Sequence, residues 1–456
     1  MAQSKDLEVM LGEPHKAILS MAGPLLISYL IIEANTFMDL TWCSGLGSAC
    51  TSAVASISPM TWIATGLGTG IGVGASAAIA GALANEHYEK GNSLAAQTLF
   101  ISVVLALLCS VLMFFAIDPL IDMMGVTDIR RECHSYIEPM AVGAVFIVLN
   151  GVVAGILRAE GASKKSTVVL ISSALIHMAL DPIFIIILGM GLTGAAVATV
   201  IAMSCGVVIG LSWFVRGRMV VHIDFRGFKP RTDEIMLILS VGIPRAFEIL
   251  LVSIMSMIQR IFVVECGGTQ AAMFYNLPWN FVTLSQSVSM ALGSALIPIA
   301  AAAVSVKKSE KSETAYHYAL KLSMIFMIGI AVVVFIFADY FVFPFTYSGE
   351  MAQYKSELVH VMRIYMLIVP FMGLIDVSSS MLQSMRHANL SMVSSFIRNL
   401  VIIFALWWAC TVSLDAIYWS LVVCEIFGAA LMVYFAHIVV KRIHAQFGEF
   451  PEGASS

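Results

Sequence analysis

The stretch STVVLISSALIHMALDPIFIIIL, residues 166–188, decides the fold. A helix rises about 1.5 Å per residue, so this run reaches across a hydrocarbon core of about 30 Å. It is apolar enough to do so, yet it carries His177 and Asp181. An ionised carboxylate near the bilayer centre costs about 2.5–3.5 kcal/mol on insertion scales. Asp181 therefore demands a partner, a proton or a function.

Runs of this kind recur along the whole chain. We place twelve transmembrane helices at 16–41, 52–84, 96–118, 133–157, 166–188, 193–215, 235–263, 271–304, 316–340, 357–383, 391–411 and 416–440. Of the 456 residues, 59% are hydrophobic and only 12% are Asp, Glu, Lys or Arg, where soluble domains average about 25% charged. That balance excludes an ordinary soluble enzyme and a disordered chain. A net charge of -4 leaves no general basic patch for nucleic acid. No H-E-x-x-H, G-x-S-x-G or Walker pattern occurs, so no enzyme and no cofactor are expected. Glycines 66, 68, 70, 72 and 74 form a close-packing pattern on a helix rather than a phosphate loop. The 8 cysteines are scattered and read as small buried hydrophobes. The N-terminal segment, with Lys5, Asp6, Glu8, Glu13 and Lys16, does not read as a cleavable signal peptide.

Basic residues set the orientation, because Lys and Arg flanking membrane helices stay in the cytoplasm. Lys16, Lys90, Arg158, Lys164, Lys165, the cluster from Arg216 to Arg231, Lys307, Lys308, Lys311, Arg386, Lys441 and Arg442 fall on one side. Arg130, Arg131 and Lys355 fall on the other. Both termini are thus expected in the cytoplasm, with the chain in the inner or plasma membrane.

A shift of about 220 residues superimposes the halves. Ser20-Met21-Ala22-Gly23-Pro24 meets Ser240-Val241-Gly242-Ile243-Pro244, and Gly47 falls on Gly267. With a slip to about 225, Leu157-Arg158-Ala159 meets Leu382-Gln383-Ser384. The expected fold is an all-α membrane protein, with twelve transmembrane helices in two six-helix lobes related by a pseudo-twofold axis along the membrane normal. The N-lobe is read over 1–218, a cytoplasmic linker over 219–234, the C-lobe over 235–445 and a cytoplasmic tail over 446–456. Two lobes with a cleft between them suit a secondary transporter.

The membrane-embedded polar residues are unevenly shared. Asn35 precedes Asp39 by four residues and His177 precedes Asp181 by four, so each pair shares a helix face. Asn150 and Thr199 add neutral oxygens in the same half. This set of Asp39, Asp181, His177, Thr199, Asn35 and Asn150 offers donors for a proton or a cation. The second half has Gln259 at the Asp39 position and Leu406 near the Asp181 position. It holds Glu248, Asp376 and the aromatic–amide run with Tyr275, Asn276 and Trp279, which with Gln259 are candidate substrate contacts. Glu248 with an arginine also reads as a structural ion pair.

Several segments resemble the multidrug and toxic compound extrusion family, in its DinF-like or archaeal branch. They include Ala179-Leu180-Asp181-Pro182-Ile183-Phe184, Leu188-Gly189-Met190-Gly191-Leu192-Thr193-Gly194, Leu11-Gly12-Glu13-Pro14, Met38-Asp39 and Leu157-Arg158-Ala159-Glu160-Gly161. The resemblance implies export of organic, often cationic compounds in antiport with H+ or Na+. It also implies that Asp39 and Asp181 form the coupling site with Thr199 beside them, where Na+ can bind. The family carries Asn where this chain has His177. Imidazole is a poorer sodium ligand than an amide oxygen and titrates near neutrality when unperturbed, which favours H+. Pro24 is expected to serve as the hinge of the first helix. The remaining partners are membrane lipid and the exported compounds, with no nucleic acid, and one chain suffices for function. The alternatives are a flippase for lipid-linked precursors and an exporter of a non-drug metabolite.

Overall fold

The computed structural model describes residues 5–346 and 352–448. Its described residues form helices and connecting turns with no strand, because a chain in lipid must satisfy its backbone polar groups internally. The last part of the tail read over 446–456 lies outside the described residues. The first half comprises α1 (Lys5–Leu11), α2 (Pro14–Gly45), α3 (Ser48–Ala84), α4 (Tyr88–Met124), α5 (Arg130–Val142), α6 (Ala144–Ala159), α7 (Ser163–Pro182) and α8 (Gly191–Val215). The second comprises α9 (Thr232–Gly268), α10 (Gln270–Ser305), α11 (Ser309–Ile336), α12 (Ala338–Thr346), α13 (Lys355–Met366), α14 (Val369–Ser384), α15 (Ala388–Cys410) and α16 (Leu414–Gly448). Among the described residues, 11 helices or joined helices are long and apolar enough to cross a membrane, and α5 with α6, bent by 53°, completes 12.

Three expected spans differ in detail. The span 133–157 breaks at Gly143, where a β-carbon would lie 2.2 Å from Val200 on α8. The span 357–383 breaks between α13 and α14. Pro370 there lacks an N–H, and its ring crowds the Met366 carbonyl. The helix expected over 316–340 starts earlier, at Ser309, and ends at Ile336. Its polar first turns extend the helix instead of forming a loop. Pro24 lies inside an uninterrupted α2.

The duplication is visible in the backbone. Glu86 and Lys307, 221 residues apart, both adopt left-handed conformations, at φ 59° and 60°. Gly161 and Arg386, 225 residues apart, do the same, at 76° and 61°. Each closes its helix with the same pair of hydrogen bonds: Glu86 N to Leu83 O and His87 N to Ala82 O, Lys307 N to Val304 O and Lys308 N to Ala303 O. This is the paired-bond helix stop that a left-handed residue permits. Glycine occupies only one of these four positions, so the hydrogen bonds carry the turn where the residue type does not favour it.

The lobes meet on the side where α1 lies. There α3 is buried without interruption from Gly70 to Leu83, against α9 and α10. Gly70 and Gly74 permit this approach. A β-carbon on Gly70 would sit 2.3 Å from Gly242 O, and one on Gly74 2.3 Å from Ile238 O. Asn85 Nδ2 donates to Ser305 O at 3.3 Å, and Ser305 Oγ donates to Gly81 O at 3.1 Å. The earlier part of α3 and the matching part of α10 are only intermittently buried. The interlobe cleft therefore opens on the opposite side.

The polar linker is strapped to the N-lobe. Glu160 accepts from Val220 N at 2.8 Å and Val221 N at 3.0 Å, Asn92 Oδ1 accepts from His222 N at 2.7 Å, and Gln97 Nε2 donates to Lys229 O at 2.8 Å. Ser93 Oγ donates to Glu234 at 2.5 Å. Burial pushes the Glu160 carboxyl up to about 7, and the two backbone N–H groups offset this only in part.

Two outcomes follow from this geometry. Gly70→Leu should oppose closure on the α1 side by about 1–3 kcal/mol, roughly a 5- to 140-fold change in the equilibrium at about 1.4 kcal/mol per decade. Electron–electron resonance distances between spin labels at Lys90 and Lys308 should lengthen accordingly. The raised folded pKa of Glu160 means that the native state holds its proton more tightly than the unfolded chain. Its contribution to stability is full below about 4.5 and is lost as pH rises through about 7. Glu160→Gln should flatten that part of the fall in thermal midpoint measured across these pH values.

Candidate functional site

The two i, i+4 pairs of α2 and α7 face each other inside the N-lobe, and α8 closes the third side. Asp39, His177 and Asp181 each offer a donor atom within 4.8 Å of the others. Helical periodicity places Asn35 and Asp39 on one face of α2 and His177 and Asp181 on one face of α7. The packing of α2 on α7 then brings all four together. A wider π turn, Ile183–Ile187, follows Pro182, so the backbone loosens directly after the second acid.

His177 is the hub. Its Nδ1 lies 3.0 Å from Nδ2 and 3.2 Å from Oδ1 of Asn35. Its Nε2 lies 2.8 Å from Thr199 Oγ1 and 3.2 Å from Asp181 Oδ1. The Asn35 amide can present oxygen to an N–H or N–H to a lone pair, so it serves the ring with or without the extra proton. Thr199 Oγ1 also donates to Ala195 O at 3.0 Å.

Asp181 is the anomaly. It is 0% exposed, and neither carboxylate oxygen has a hydrogen-bond partner. The 3.2 Å approach of His177 Nε2 to Oδ1 is close enough for charge attraction, but its angle is not that of a hydrogen bond. A buried carboxylate without donors cannot remain ionised cheaply. It carries a proton, or it draws a cation. Asp39 is less enclosed and accepts a long contact from Cys43 Sγ at 3.8 Å.

Asn150 makes its bonds elsewhere: its Nδ2 donates to Ser173 Oγ at 2.8 Å and to Met203 O at 3.3 Å. It braces α6 against α7 and α8 behind the acid pair.

The C-lobe residues have a different character. Glu248 is buried and saturated. Arg245 Nη1 approaches at 2.9 Å, Ser395 at 2.8 Å, Ser391 at 3.0 Å, Ser379 at 3.2 Å and Gln383 Nε2 at 3.2 Å. Its counter-charge is Arg245, one turn earlier on α9. Asp376 accepts from Ser289 at 2.7 Å and Gln286 at 3.2 Å. Gln259 accepts the Tyr275 hydroxyl at 2.5 Å, and Trp279 stacks on the Tyr275 ring at 5.6 Å. Asn276 is half-buried. Gln259 and Tyr275 are thus tied to each other, and Tyr275 is 1% exposed.

Sequence reasoning passed over Cys43 and the serines around Glu248. Cys43 follows Asp39 by four residues, a spacing that was readable. The serines announce themselves as Ser378-Ser379-Ser380 and Ser391, Ser394 and Ser395 within otherwise apolar helices.

A two-lobed helical bundle with an ionisable pocket inside one lobe is the architecture of a secondary transporter. The MatE family model matches residues 24–183 and 244–408, and the chain belongs to this family, the multidrug and toxic compound extrusion proteins. It is 21% identical over 288 residues to the multidrug export protein MepA of Staphylococcus aureus strain NCTC 8325. That match covers 63% of this chain and 64% of MepA, somewhat under two thirds of the relative's length. A transporter of the MOP superfamily from Pyrococcus furiosus, whose structure is described as having a binding pocket of reversed polarity, superimposes with a TM-score of 0.92. It is 26% identical, over 97% of this chain and 99% of that one. A multidrug resistance MATE family transporter solved in an outward-facing conformation matches equally, with a TM-score of 0.92 and 26% identity over the same shares.

Asp181→Val replaces the buried carboxyl, which no hydrogen bond supports, with an apolar side chain. At pH 8 the variant should unfold in detergent at a higher temperature than the parent, by an amount equivalent to about 1–3 kcal/mol, the usual cost of an unsatisfied buried polar group.

Proposed function

We propose that this chain is a secondary active multidrug efflux transporter, exporting organic and often cationic compounds by alternating access in antiport with an ion. The observation that carries this reading is the fully buried Asp181 carboxylate, without a hydrogen-bond donor, beside His177 and Asp39. Such a group responds strongly to the arrival of one positive charge, which is the property a coupling site requires. The family membership and the cleft between the lobes support the same reading.

The coupling ion on this reading is H+. His177 stands between both acids and the Asn35 amide, and each ring nitrogen has a partner within 3.2 Å. The ring can therefore accept a proton and pass it on without leaving either nitrogen unpaired. Na+ held by Asp39, Asp181 and Thr199 is the other reading, since all three offer oxygen.

In the mechanism, the cleft opens to the outside and the proton reaches Asp39 and Asp181. That proton neutralises one of the two carboxylates, and the smaller charge left on the pair weakens the attraction for a cationic substrate and relaxes the packing of α2 on α7, with movement centred on Pro24. The substrate leaves, the lobes rock, the seam on the α1 side parts, and the proton exits to the cytoplasm. One charge falling through 100 mV supplies about 2.3 kcal/mol, enough for roughly a fortyfold substrate gradient at about 1.4 kcal/mol per decade. The proposed frame is an N-lobe over 1–218, a linker over 219–234 and a C-lobe over 235–445. Both termini are cytoplasmic, and a single chain is active in the plasma membrane.

Efflux of a fluorescent cationic dye from proteoliposomes tests this directly. A pH gradient at zero sodium should drive it, and Asp39→Asn and Asp181→Asn should each abolish the drive. His177→Asn should move its pH dependence. Full-rate export by both acid variants would falsify the coupling site. Drive by a sodium gradient alone would transfer the ion assignment to Na+ and leave His177 a spectator.

A further inference from the structure

The helix α1 lies on the side where the lobes meet. Seven residues are too few for a helix to persist in water unaided, so its neighbours hold it. Leu7 is 0% and Met10 2% exposed. The Asp6 carbonyl rests against Gly161, where a β-carbon would lie 2.4 Å from that oxygen and where φ is +76°. The close approach of that carbonyl requires glycine there, and the positive φ suits it. Gly161 belongs to the N-lobe, in the turn between α6 and α7.

The other end of α1 is held by the C-lobe. The last carbonyls of a helix have no partner within it and carry its negative pole. Here the carbonyls of Leu11 and Gly12 accept from Lys311 Nζ at 3.1 and 3.0 Å. Lys311 stands in the first turn of α11. A short, otherwise unstable segment is therefore fastened to Gly161 of one lobe and Lys311 of the other. Just beyond it, the His15 ring meets Tyr318 of α11 edge-on, with centroids 4.4 Å apart.

We propose that α1 is an intramolecular latch holding the transporter closed on this side, with Lys311 as its release point. When the lobes part here, Gly161 and Lys311 separate, and one contact must yield. The two lysine hydrogen bonds are the ones that can re-form in water, whereas the Gly161 contact is backbone packing. Loss of Lys311 leaves the α1 carbonyls without a donor, and the closed state loses its preference. This inference rests on the rocking of the lobes proposed above but not on the identity of the coupling ion.

The test reads conformation without transport. Ala301, 6% exposed, packs at the seam in a small cluster with Val73 and Ala77 of the N-lobe. In the full-length protein in liposomes, Ala301→Cys is labelled with a membrane-impermeant maleimide supplied on the α1 side, and the peptide containing position 301 is followed by mass. Lys311→Met should raise the labelling rate several-fold, and Lys311→Arg should leave it close to the parent. Deletion of residues 1–11 should raise it similarly, and adding Lys311→Met to the deletion should change nothing further. Unchanged labelling in both Lys311→Met and the deletion overturns the latch. An effect of Lys311→Met that persists in full after the deletion also overturns it, because the lysine would then act through another contact. Either result leaves the dye-efflux test of ion coupling unaffected.

Discussion

A carboxylate withdrawn from water and given no hydrogen-bond donor is the constraint around which this molecule is organised. Every element near Asp181 contributes to that isolation. The uninterrupted α7 places His177 one turn before it, α2 brings Asp39 and Asn35 across, and α8 supplies Thr199. No donor on any of them reaches the carboxylate with hydrogen-bond geometry. Stability alone would favour an apolar residue at this position. An acid here therefore costs stability that an apolar residue would not.

The C-lobe shows the opposite treatment of the same side-chain type. Glu248 is equally withdrawn from solvent, but an arginine, three serines and a glutamine supply donors to it. A carboxylate with that many donors is fixed in charge and place. The duplicated lobes thus share a backbone and diverge in electrostatics: one buried acid is surrounded by donors and the other has none. Their common ancestry survives in the left-handed turns at Glu86 and Lys307 and at Gly161 and Arg386, although the residues there differ.

Much of this was readable from the chain. Length and hydropathy place helices because lipid permits little else. The four-residue spacings placed Asn35 with Asp39 and His177 with Asp181 because helical periodicity is local. Contacts between helices were not readable. Asn35 and His177 are 142 residues apart, and no periodicity announces their meeting. The bonds of Asn150 to Ser173 and Met203 depend on how α6 turns relative to its neighbours, which no local pattern shows. The serines themselves stand out in the sequence, but their convergence on Glu248 was hidden for the same reason. The breaks at Gly143 and before Pro370 follow from local crowding, one against Val200 and one within the helix itself. Only the second has a cause visible in sequence.

The seam between the lobes has a kinetic side. Where Gly70 and Gly74 meet Gly242 and Ile238, the surfaces are backbone against backbone. Side chains that interlock must change rotamer before they can separate, and each change adds to a barrier. Two bare backbones have nothing to unlock. The resistance to opening at these points comes from contact area and a few hydrogen bonds, such as those of Asn85 and Ser305. The smooth face therefore adds little rotamer barrier of its own to a separation of the two surfaces.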